Sequence, residues 1–522
     1  MTDAQGKSAV VIGAGHNGLT CAAYLAKEGY AVSVLEASTT IGGPASTHEF
    51  APGFRASVAH LLYQLEEEII EDLQLEAHGF SLAADSLDTV ALDLGGKHLQ
   101  ISGDKVLGED VSREDRDALM VYRGRMMRFA KIIGGLHDKV PPRLASGERS
   151  DTLGLAKLAW AIRRLGKTEM REFLRIAGIN VYDILEELFE HELLKGALSL
   201  DGVLGTHLGP RSNNSVFTAL HRMSGSVKGT PAATAIPRGG MGGVSNALAE
   251  AAKALGVSII FDARVGGIEM EGDRATGVTL TTGEVMPADV VVSSADPKTT
   301  FLDIIGARRL DAGMVRKISH VRQSGNAAKL HLALDALPEF SGLDQDLLGQ
   351  RLVIAPDLDY VERAFNHAKY GEHSAEPIME ITLPTVHDPG LAPDGKHVLS
   401  ALVQYAPREL KSGWDDARAT FTEAILSTLE RYAPAIRDLV TGSELLTPED
   451  IEARHGNIGG HWHHAELALD QFLMLRPVAG AAQYRSPIDG LYLCGSGCHP
   501  GGGVMGHAGR NAARCITAEN EE

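Results

Sequence analysis

The chain has 522 residues, of which 44% are hydrophobic and 22% charged, a balance that is typical of globular proteins and not of disordered ones. Its 49 basic and 68 acidic residues give a formal net charge of −19, which argues against a nucleic-acid-binding protein. The 4 cysteines include no C-x-x-C pair, so neither a disulfide framework nor the dithiol of a disulfide reductase is expected.

The N-terminal residues run into an apolar strand without the basic segment, apolar core and cleavage site of a signal peptide. The sequence also contains no run of about 18 apolar residues, the length that a membrane-spanning helix requires. We therefore expect a cytoplasmic protein that is soluble or only peripheral to a membrane. The 58 glycines exceed the usual share of about 7% and indicate many tight turns and close backbone approaches.

The first predicted strand is followed by Gly13-x-Gly15-x-x-Gly18 and a helix, and a second predicted strand ends at Glu36. Gly13 permits a tight turn, Gly15 lets the backbone approach a pyrophosphate, and Gly18 lets the helix pack closely on the strand. Glu36 is placed to accept hydrogen bonds from ribose hydroxyls, and its charge disfavours the 2′-phosphate of NADP. These features together predict a Rossmann-like dinucleotide-binding unit.

Residues 61–200 are predicted to be mostly helices and loops. Within them, segment 157–175 carries six basic and two acidic residues beside an apolar stripe and Trp160. Basic amphipathic helices that contain tryptophan can lie on anionic membrane surfaces. Two interpretations stay open: peripheral membrane contact through residues 155–175, or a solvated helix face over the substrate domain.

Strand signal returns in the second half of the chain, where it alternates with helical signal. The turn at residues 282–284 is predicted to join two strands as a hairpin, and a helix is predicted at residues 418–431. The C-terminal region returns to a strand, a glycine cluster and a helix. The predicted strands are residues 257–261, 277–280, 289–293, 329–334, 397–403 and 490–494.

The positions of these signals predict an α/β protein with two interleaved domains. A discontinuous, Rossmann-like nucleotide-binding domain is expected from residues 1–90, 235–300 and 480–522. A mixed α+β substrate-binding domain with a helical lid is expected from residues 91–234 and 301–479.

Two further glycine motifs favour FAD over NAD as the dinucleotide. Gly42 and Gly43 follow the ribose-binding acid closely, and segment 490–506 places a glycine-rich junction between a strand and a helix. A single NAD domain has no need for such a junction so far along the chain. The ribityl chain and isoalloxazine of FAD need a second helix N-terminus and close backbone contacts.

The N-terminal motif, the central Pro-Arg-Gly-Gly-Met-Gly-Gly at 237–243 and the C-terminal Leu-Tyr-Leu-Cys-Gly-Ser-Gly-Cys-His-Pro-Gly-Gly-Gly-Val-Met-Gly at 491–506 carry a family resemblance. They resemble the phytoene desaturase-like flavoproteins, relatives of carotenoid desaturases and amine oxidases in the glutathione-reductase-like FAD superfamily. The nearest branch contains pyridine nucleotide-disulfide oxidoreductase domain-containing protein 2. The resemblance spans nearly the whole chain.

The resemblance implies which residues bind FAD. The ADP half would be held by the two N-terminal glycine motifs and the acid, with a backbone contact to the adenine, and the other half by the C-terminal motif. The implied residues are Gly13, Gly15, Gly18, Glu36, Gly42, Gly43 and Val265 for the ADP half, and Gly495, Gly502, Gly503, Val504 and Met505 for the pyrophosphate, ribityl chain and flavin.

The sequence also departs from the carotenoid desaturase pattern. Those enzymes usually carry an arginine after the glycine pair and a later Phe-Asp-x-Gly-Pro segment. Here Pro44 follows Gly43, and the later stretch is Gly-Phe-Arg-Ala-Ser-Val-Ala-His at 53–60. These differences argue against phytoene itself as the substrate.

Four residues are candidates for holding or moving a proton. His463 and His464 lie in a His-Trp-His-His run; a metal site there is disfavoured because neighbouring positions cannot all face one ion, and a polar loop without a chemical role stays open. Lys329 lies in a predicted strand, where related amine oxidases hold a water near the flavin, or it is a surface lysine. His499 precedes the glycine cluster and could take a proton at the flavin edge or cap the following helix.

The expected function is an FAD-dependent dehydrogenase, desaturase or oxidase that takes a hydride from a hydrophobic small molecule, with isoprenoid- or carotenoid-like substrates among the classes. A flavin amine oxidase on the same fold is a first alternative, although aromatic residues make up only 5% of the chain. A non-catalytic escort protein of the GDP-dissociation-inhibitor type is a second, which the intact phosphate-contact glycines disfavour. No nucleic-acid partner is expected.

Overall fold

The computed structural model describes residues 6–143 and 146–519. The helices of this part are α1 (His16–Lys27), α2 (Glu67–Asp72), α3 (Arg113–Gly134), α4 (Arg149–Arg163), α5 (Lys167–Gly178), α6 (Val181–Leu188), α7 (Glu192–Val203), α8 (Ser215–Met223), α9 (Met241–Ala254), α10 (Ala312–Ser319), α11 (Leu358–Lys369), α12 (Trp414–Tyr432), α13 (Ile436–Leu439), α14 (Pro448–His455) and α15 (His507–Glu519).

The strands of the same part are β1 (Ser8–Ile12), β2 (Ala31–Leu35), β3 (Thr47–Ala51), β4 (Phe54–Ser57), β5 (Leu82–Ala84), β6 (Thr89–Ala91), β7 (Leu99–Ser102), β8 (Lys105–Leu107), β9 (Ser226–Val227), β10 (Thr230–Pro231), β11 (Ile236–Pro237), β12 (Ser258–Ile260), β13 (Val265–Glu271), β14 (Arg274–Leu280), β15 (Val285–Pro287), β16 (Val290–Ser293), β17 (Ala327–Leu334), β18 (Arg351–Ile354), β19 (Ile378–Thr382), β20 (His397–Gln404), β21 (Val440–Leu446) and β22 (Leu491–Leu493).

The first sheet is a five-stranded parallel sheet in the order β12-β2-β1-β16-β22. Its central strands β1 and β16 are almost entirely buried runs of valine, alanine and isoleucine, as strands covered on both faces require. Helix α1 packs against α9 and α15 beside this sheet. The sheet confirms the predicted α/β class and Rossmann-like unit, and it gathers strands from both ends and the middle of the chain.

The hairpin predicted at residues 282–284 is present, but it joins β14 to β15 and not to β16. Strands β13, β14 and β15 form a separate antiparallel sheet. Strand β16 is instead a continuous valine run that pairs in parallel with β1 and β22. Burial on both faces places such a run in the parallel sheet, and the sequence-based assignment of its neighbour was wrong.

The second large sheet has eight strands in the order β21-β17-β20-β19-β18-β6-β7-β8. Helices α6, α7, α8 and α11 contribute to the core on one face and α12 to the core on the other. The sequence did not predict β6, β7 and β8, because strands of three or four residues leave too short an alternation to recognise.

The basic segment 155–175 is divided between two helices, α4 and α5, so its apolar residues do not form one continuous stripe as the sequence suggested. Gly166 between them adopts a φ of +85°, which ends the first helix and leaves Leu165 in the turn. Helix α4 contains no buried residue. Among the helices of the described ranges, none combines the length and apolar composition needed to cross a bilayer.

The two large sheets have separate cores. Phe301, Ile304, Met314 and Ile318 pack into the core around the five-stranded sheet, although they follow the point where the substrate domain was predicted to resume. The exact domain limits therefore stay a prediction. The expected cofactor site lies beside the five-stranded sheet and the expected substrate site beside the eight-stranded sheet.

Candidate functional site

A cavity with an empty volume of about 1100 Å³, solvent at its mouth included, has a lining that includes residues of the eight-stranded sheet and of loops that follow strands of the five-stranded sheet. We call its two parts the cofactor region, lined by Gly15, Gly42, Gly495, Gly503 and their neighbours, and the substrate region. The substrate region is lined by His60, Leu61, Leu204, Arg222, Glu380, Leu402, Trp462 and Leu467.

In the cofactor region, the first glycine motif has the geometry that the sequence predicted. Gly13 has a φ of +92°, and an added Cβ would lie 2.7 Å from Ser294 Oγ. A Cβ on Gly18 would lie 2.1 Å from the Gly13 carbonyl oxygen, so only glycine lets α1 approach the turn this closely. A Cβ on Gly15 would meet nothing within 4 Å and would project into open space at the cavity wall.

Glu36 lies just after β2, and its carboxylate is held by the backbone. It accepts hydrogen bonds from the N–H groups of Ala14 at 2.8 Å and Ser38 at 2.9 Å. Each oxygen keeps a further lone pair, which a ribose hydroxyl could occupy. Val265 begins β13, two residues after Ala263, whose N–H donates to the Glu36 carbonyl. The predicted adenine contact is thus close to the predicted ribose contact.

The second glycine pair lies beside the first motif. The Gly42 N–H donates to the Ala14 carbonyl at 2.9 Å, and a Cβ on Gly42 would lie 2.7 Å from Ser245 Oγ. A Cβ on Gly43 would meet nothing within 4 Å. The structure therefore brings the first glycine motif and the second glycine pair to one wall of the cofactor region.

The C-terminal motif forms the facing part of this region. Gly495, Gly503 and Val504 line the cavity, whereas Met505 is fully buried behind it. A Cβ on Gly495 would lie 2.3 Å from the Ser294 carbonyl oxygen. Gly503 has a φ of +129°, and its Cβ would lie 2.4 Å from Gln64 Oε1.

The donor set of the cofactor region fits an anionic dinucleotide. Helix α1 starts at His16, and its N-cap residue Gly15 has no side chain to cap it, so the N-terminal N–H groups of the helix are available to a phosphate. The buried His16 Nε2 and Asn17 Oδ1 beside it have no hydrogen-bond partner among the described residues. Burial, with His464 nearby, lowers the pKa of His16 to about 4, so its imidazole is neutral at pH 7.

His463 and His464 line the cavity next to Trp462. The Trp462 Nε1–H lies 3.1 Å from His463 Nε2, and because an indole nitrogen only donates, that imidazole carries its proton on Nδ1. This Nδ1 faces Gly502, where an added Cβ would lie 1.7 Å from it. Burial lowers the pKa of both imidazoles, and the geometry of His463 suits a hydrogen-bond donor better than a proton acceptor.

Arg476, which the sequence did not single out, holds this histidine loop against the C-terminal motif. Its guanidinium is fully buried and donates to the carbonyls of His463 and Ser496, both at 2.8 Å, and of Cys498 at 3.1 Å. Burial lowers the pKa of Arg476 to about 10, so it stays charged at neutral pH. Its burial in a loop of carbonyls gives no local sequence signal.

His499 does not line the cavity. Its Nε2 donates to the Leu136 carbonyl at 2.8 Å, at the end of α3, and burial lowers its pKa to about 3. The prediction that it lies at the reactive edge was drawn from its place in the chain, but its side chain points away to α3. His221 lines the wall instead, with Nε2 donating to the Gly502 carbonyl at 3.0 Å.

The floor of the substrate region is formed by Glu380 and Leu402, which belong to a row of residues across the eight-stranded sheet. Lys329 on β17, Leu402 on β20 and Glu380 on β19 are directly opposite one another, and opposite residues in antiparallel strands face the same side. Lys329 is fully buried, not a surface lysine, and its Nζ contacts Nδ1 of His60.

Glu380 belongs to a buried network of charges. Arg222 Nη2 donates to it at 2.7 Å, Arg351 Nε also donates to it, and Arg351 Nη2 donates to Asp201 at 2.6 Å. Burial raises the pKa of Glu380, but the two arginines lower it more, and the result is below its usual value. The network thus joins two arginines, Arg222 and Arg351, to two carboxylates, Asp201 and Glu380, and the charges balance.

Sequence analysis missed His60, His221, Arg222 and Glu380 because they come from three separate parts of the chain: the loop after β4, helix α8 and strand β19. The one local signal is a charged residue within an apolar strand. Glu380 stands in Ile-Met-Glu-Ile-Thr, where burial on both sides predicts a paired charge. No pattern along the chain shows that these elements meet at one cavity.

Comparison with known proteins identifies relatives over nearly the whole chain. The family model described as flavin containing amine oxidoreductase matches residues 18–517. The chain is 36% identical to pyridine nucleotide-disulfide oxidoreductase domain-containing protein 2 of Rattus norvegicus, over 97% of this chain and 93% of that protein. It is 28% identical to a component of the limonene dehydrogenase of Castellaniella defragrans (99% and 96%) and 25% identical to a lycopene-forming phytoene desaturase of Paracoccus sp. (96% and 95%).

A solved structure supports the fold. A variant of putrescine oxidase superposes with a TM-score of 0.62 at 16% identity, covering 99% of this chain and 98% of that chain. At this identity the likeness concerns the fold alone.

Proposed function

The chain belongs to the flavin-containing amine oxidoreductase family and is an FAD-dependent oxidoreductase, and we propose that it dehydrogenates a hydrophobic, isoprenoid-like substrate. The observation that carries the proposal is one continuous cavity that joins the glycine motifs of the cofactor region to a chamber containing leucine and tryptophan side chains. Such a chamber suits a substrate that is largely apolar.

The residues that would hold FAD are those of the cofactor region. FAD, when bound, accepts the hydride that the substrate loses. The chain itself would supply orientation and a chamber from which water is excluded, through Leu61, Leu204, Leu402 and Leu467. The proposed FAD ligands are Gly13, Gly15, Gly18, Glu36, Gly42, Gly43, Val265, Gly495, Gly502, Gly503, Val504 and Met505. Of these, Val265 would contact FAD through its backbone, and Met505 would support the cavity wall from behind.

The test is anaerobic reduction of the flavin in the purified, FAD-loaded protein. Limonene, phytoene, putrescine and cyclohexylamine serve as a panel, because proteins similar to this chain are named for them. We expect bleaching of the flavin absorbance with an isoprenoid and none with the amines. Colourless protein that cannot be reconstituted with FAD would contradict enzymatic function and favour an escort protein.

An amine substrate is the second candidate. Glu380 presents an ionised carboxylate at the cavity floor, which would attract a cationic amine. Arg222 and Arg351 already balance that charge. A flavin amine oxidase would also need a cage of aromatic rings beside the flavin, and among the described residues Tyr63 and Trp462 are the tyrosine and tryptophan side chains that line the cavity. These two facts favour the isoprenoid, and reduction by putrescine but not limonene would reverse the preference.

We also propose that α4 and α5 contact a membrane surface. Their side chains Leu153, Trp160 and Leu174 are 59%, 65% and 61% exposed, unusually high values for large apolar residues. The exposed cations Lys157 and Arg163 lie on α4, Lys167 and Arg171 lie on α5, and exposed Arg164 lies in the turn between the two helices. A hydrophobic substrate would reach the cavity most readily from a lipid surface, which gives the contact a purpose.

A further inference from the structure

His60 lies in the substrate region, and its imidazole contacts the side-chain amine of a buried lysine. It follows β4, lines the cavity, and its Nδ1 contacts Nζ of Lys329. Its Nε2 is buried and has no hydrogen-bond partner in the described part of the chain. A buried polar atom without a partner at a cavity wall is satisfied when a ligand supplies one.

The position of the proton in this pair decides what His60 can do. An ammonium on Lys329 would donate to Nδ1 and leave a proton on Nε2, whereas only a neutral amine can accept Nδ1–H and so leave the Nε2 lone pair facing the cavity. Lys329 is fully buried on β17, and burial lowers its pKa well below the ordinary value, although the Glu380 carboxylate opposes this. The neutral amine and the bare Nε2 are therefore the expected state at neutral pH.

We propose that His60, held in this tautomer by Lys329, accepts the proton that the substrate loses on dehydrogenation. The inference rests on the proposed function, because a dehydrogenation must release one hydride and one proton. In this arrangement Lys329 is a positioning residue, and His60 is the group that touches the substrate.

The transfer balances within the pair. The hydride leaves carbon with both electrons for the flavin, and the neighbouring atom's bond to hydrogen breaks as its electrons form the new double bond. The proton binds His60 Nε2, and Nδ1–H passes to Nζ, so the imidazole ends neutral and Lys329 becomes an ammonium. Glu380, two strands away in the same row, stabilises that ammonium.

The charges around His60 keep it unprotonated until the substrate arrives. Burial first, and then the cations Arg222 on α8 and Arg351 on β18, lower its pKa well below the ordinary value. His331, two residues along β17, is likewise held unprotonated, since burial lowers its pKa. A group in this environment stays a free base throughout the neutral range and depends on Lys329 to keep the proton that it receives.

The other cavity histidines are less suited to this step. His463 carries its proton on the nitrogen that faces Gly502, because Trp462 donates to the other one. His221 has a bare Nδ1, but its Nε2–H is bound to the Gly502 carbonyl, so it has no group to which it could pass a proton on among the described residues. His221 therefore provides an internal control.

The first experiment is 15N-histidine NMR of the FAD-loaded full chain, which needs no substrate. At pH 7 we expect Nδ1 of His60 protonated and Nε2 bare. Lys329→Arg should invert this tautomer, since a guanidinium only donates, and Lys329→Met should leave a mixture. His221 should keep its tautomer in both, and the exposed Lys317→Met should change neither residue. A protonated Nε2 in the wild type would overturn the inference without any variant having to fold.

A second probe is diethyl pyrocarbonate, which attacks bare imidazole nitrogens, mapped by peptide mass spectrometry on the FAD-loaded protein. We expect modification of His60 in the wild type and at least a tenfold slower modification in Lys329→Arg. With the panel compound that reduces the flavin, His60→Asn should slow reduction by about 10²–10⁴-fold at unchanged flavin content. Wild-type reduction by His60→Asn refutes this inference alone, whereas no reduction by any panel compound refutes the proposed function and leaves the tautomer measurable.

Discussion

The cofactor region and the substrate region of the cavity are built from different kinds of information. The cofactor region consists of backbone brought close by glycines that are neighbours in sequence, such as Gly13, Gly15 and Gly18. The substrate region consists of side chains from separate strands and helices, such as Lys329 and Glu380. Substitutions in the first should act through lost space, and substitutions in the second through lost partners.

The largest expected effect separates two glycines of one motif. Gly15→Val would fill open space where the pyrophosphate is expected, so FAD retention should fall more than 100-fold while the fold survives. Gly18→Val would also collide with the Gly13 carbonyl and should lose FAD and destabilise the protein by about 1–3 kcal/mol. Flavin absorbance per protein and chemical denaturation measure the two effects.

Gly178→Val is the matched control, because a Cβ there meets nothing within 4 Å and lies far along α5. Full flavin content in Gly15→Val would show that the first motif does not hold the pyrophosphate.

The second prediction removes a partner in the substrate region. Glu380→Gln leaves Arg222 and Arg351 buried without their shared carboxylate, which should lower the free energy of unfolding by about 3–5 kcal/mol. The flavin content of the folded fraction should not change. Glu423→Gln, which breaks an exposed pair with Arg437, should cost less than about 1 kcal/mol in the same denaturation assay. Equal losses in both variants would mean that the cavity network is not tightly coupled.

The third prediction concerns pH and the buried histidines in and around the cavity. Burial lowers the pKa of His221 to about 4 and of His461 and His499 to about 3, so below pH 6.5 the unfolded chain binds protons that the folded chain does not. Their stabilising contribution is complete above pH 6.5 and is lost as the pH falls towards the folded values. Each histidine then contributes a loss of up to about 1.4 kcal/mol per pH unit.

Denaturant unfolding of the FAD-loaded protein at pH 7.5 and pH 5.5 measures this loss. Replacement of the buried His499 by glutamine should reduce the pH slope by about one proton. Stability that is constant over this range would show that the buried imidazoles are protonated in the folded protein.

The smallest expected effect lies outside the cavity, at α4 and α5. Wild-type protein should sediment with phosphatidylserine vesicles at low salt, and reversal of Arg163, Arg164 and Lys167 to glutamate should abolish this, since each cation contributes about 1 kcal/mol. The matched reversal of Arg316 and Lys317, exposed cations on α10, should leave binding intact. Absence of wild-type sedimentation at low salt would identify α4 and α5 as solvated faces.

Much of the cofactor region was predictable because its requirements are local. A strand, a glycine turn and a helix occupy consecutive residues, and Glu36 follows on the next strand, so spacing alone predicts their meeting. Two predictions failed because distant parts of the chain determine the outcome. Strand β16 does not pair across the turn at 282–284 but lies in the parallel sheet beside β1, and the His499 imidazole does not reach the cavity but donates to a carbonyl just after α3.

The sequence by itself determined the α/β class, the central strands of the five-stranded sheet, the glycine motifs and FAD as the dinucleotide, because these follow from hydrophobic periodicity and from backbone space required within a few residues. Tertiary structure alone decided that His60 meets Lys329 and that Glu380 meets Arg222. Those contacts join residues more than 150 positions apart, and each brings a residue from outside the eight-stranded sheet, His60 after β4 or Arg222 on α8, against a strand of that sheet. No local pattern records these contacts, since they depend on how separate elements pack and not on the neighbours of each residue in the chain.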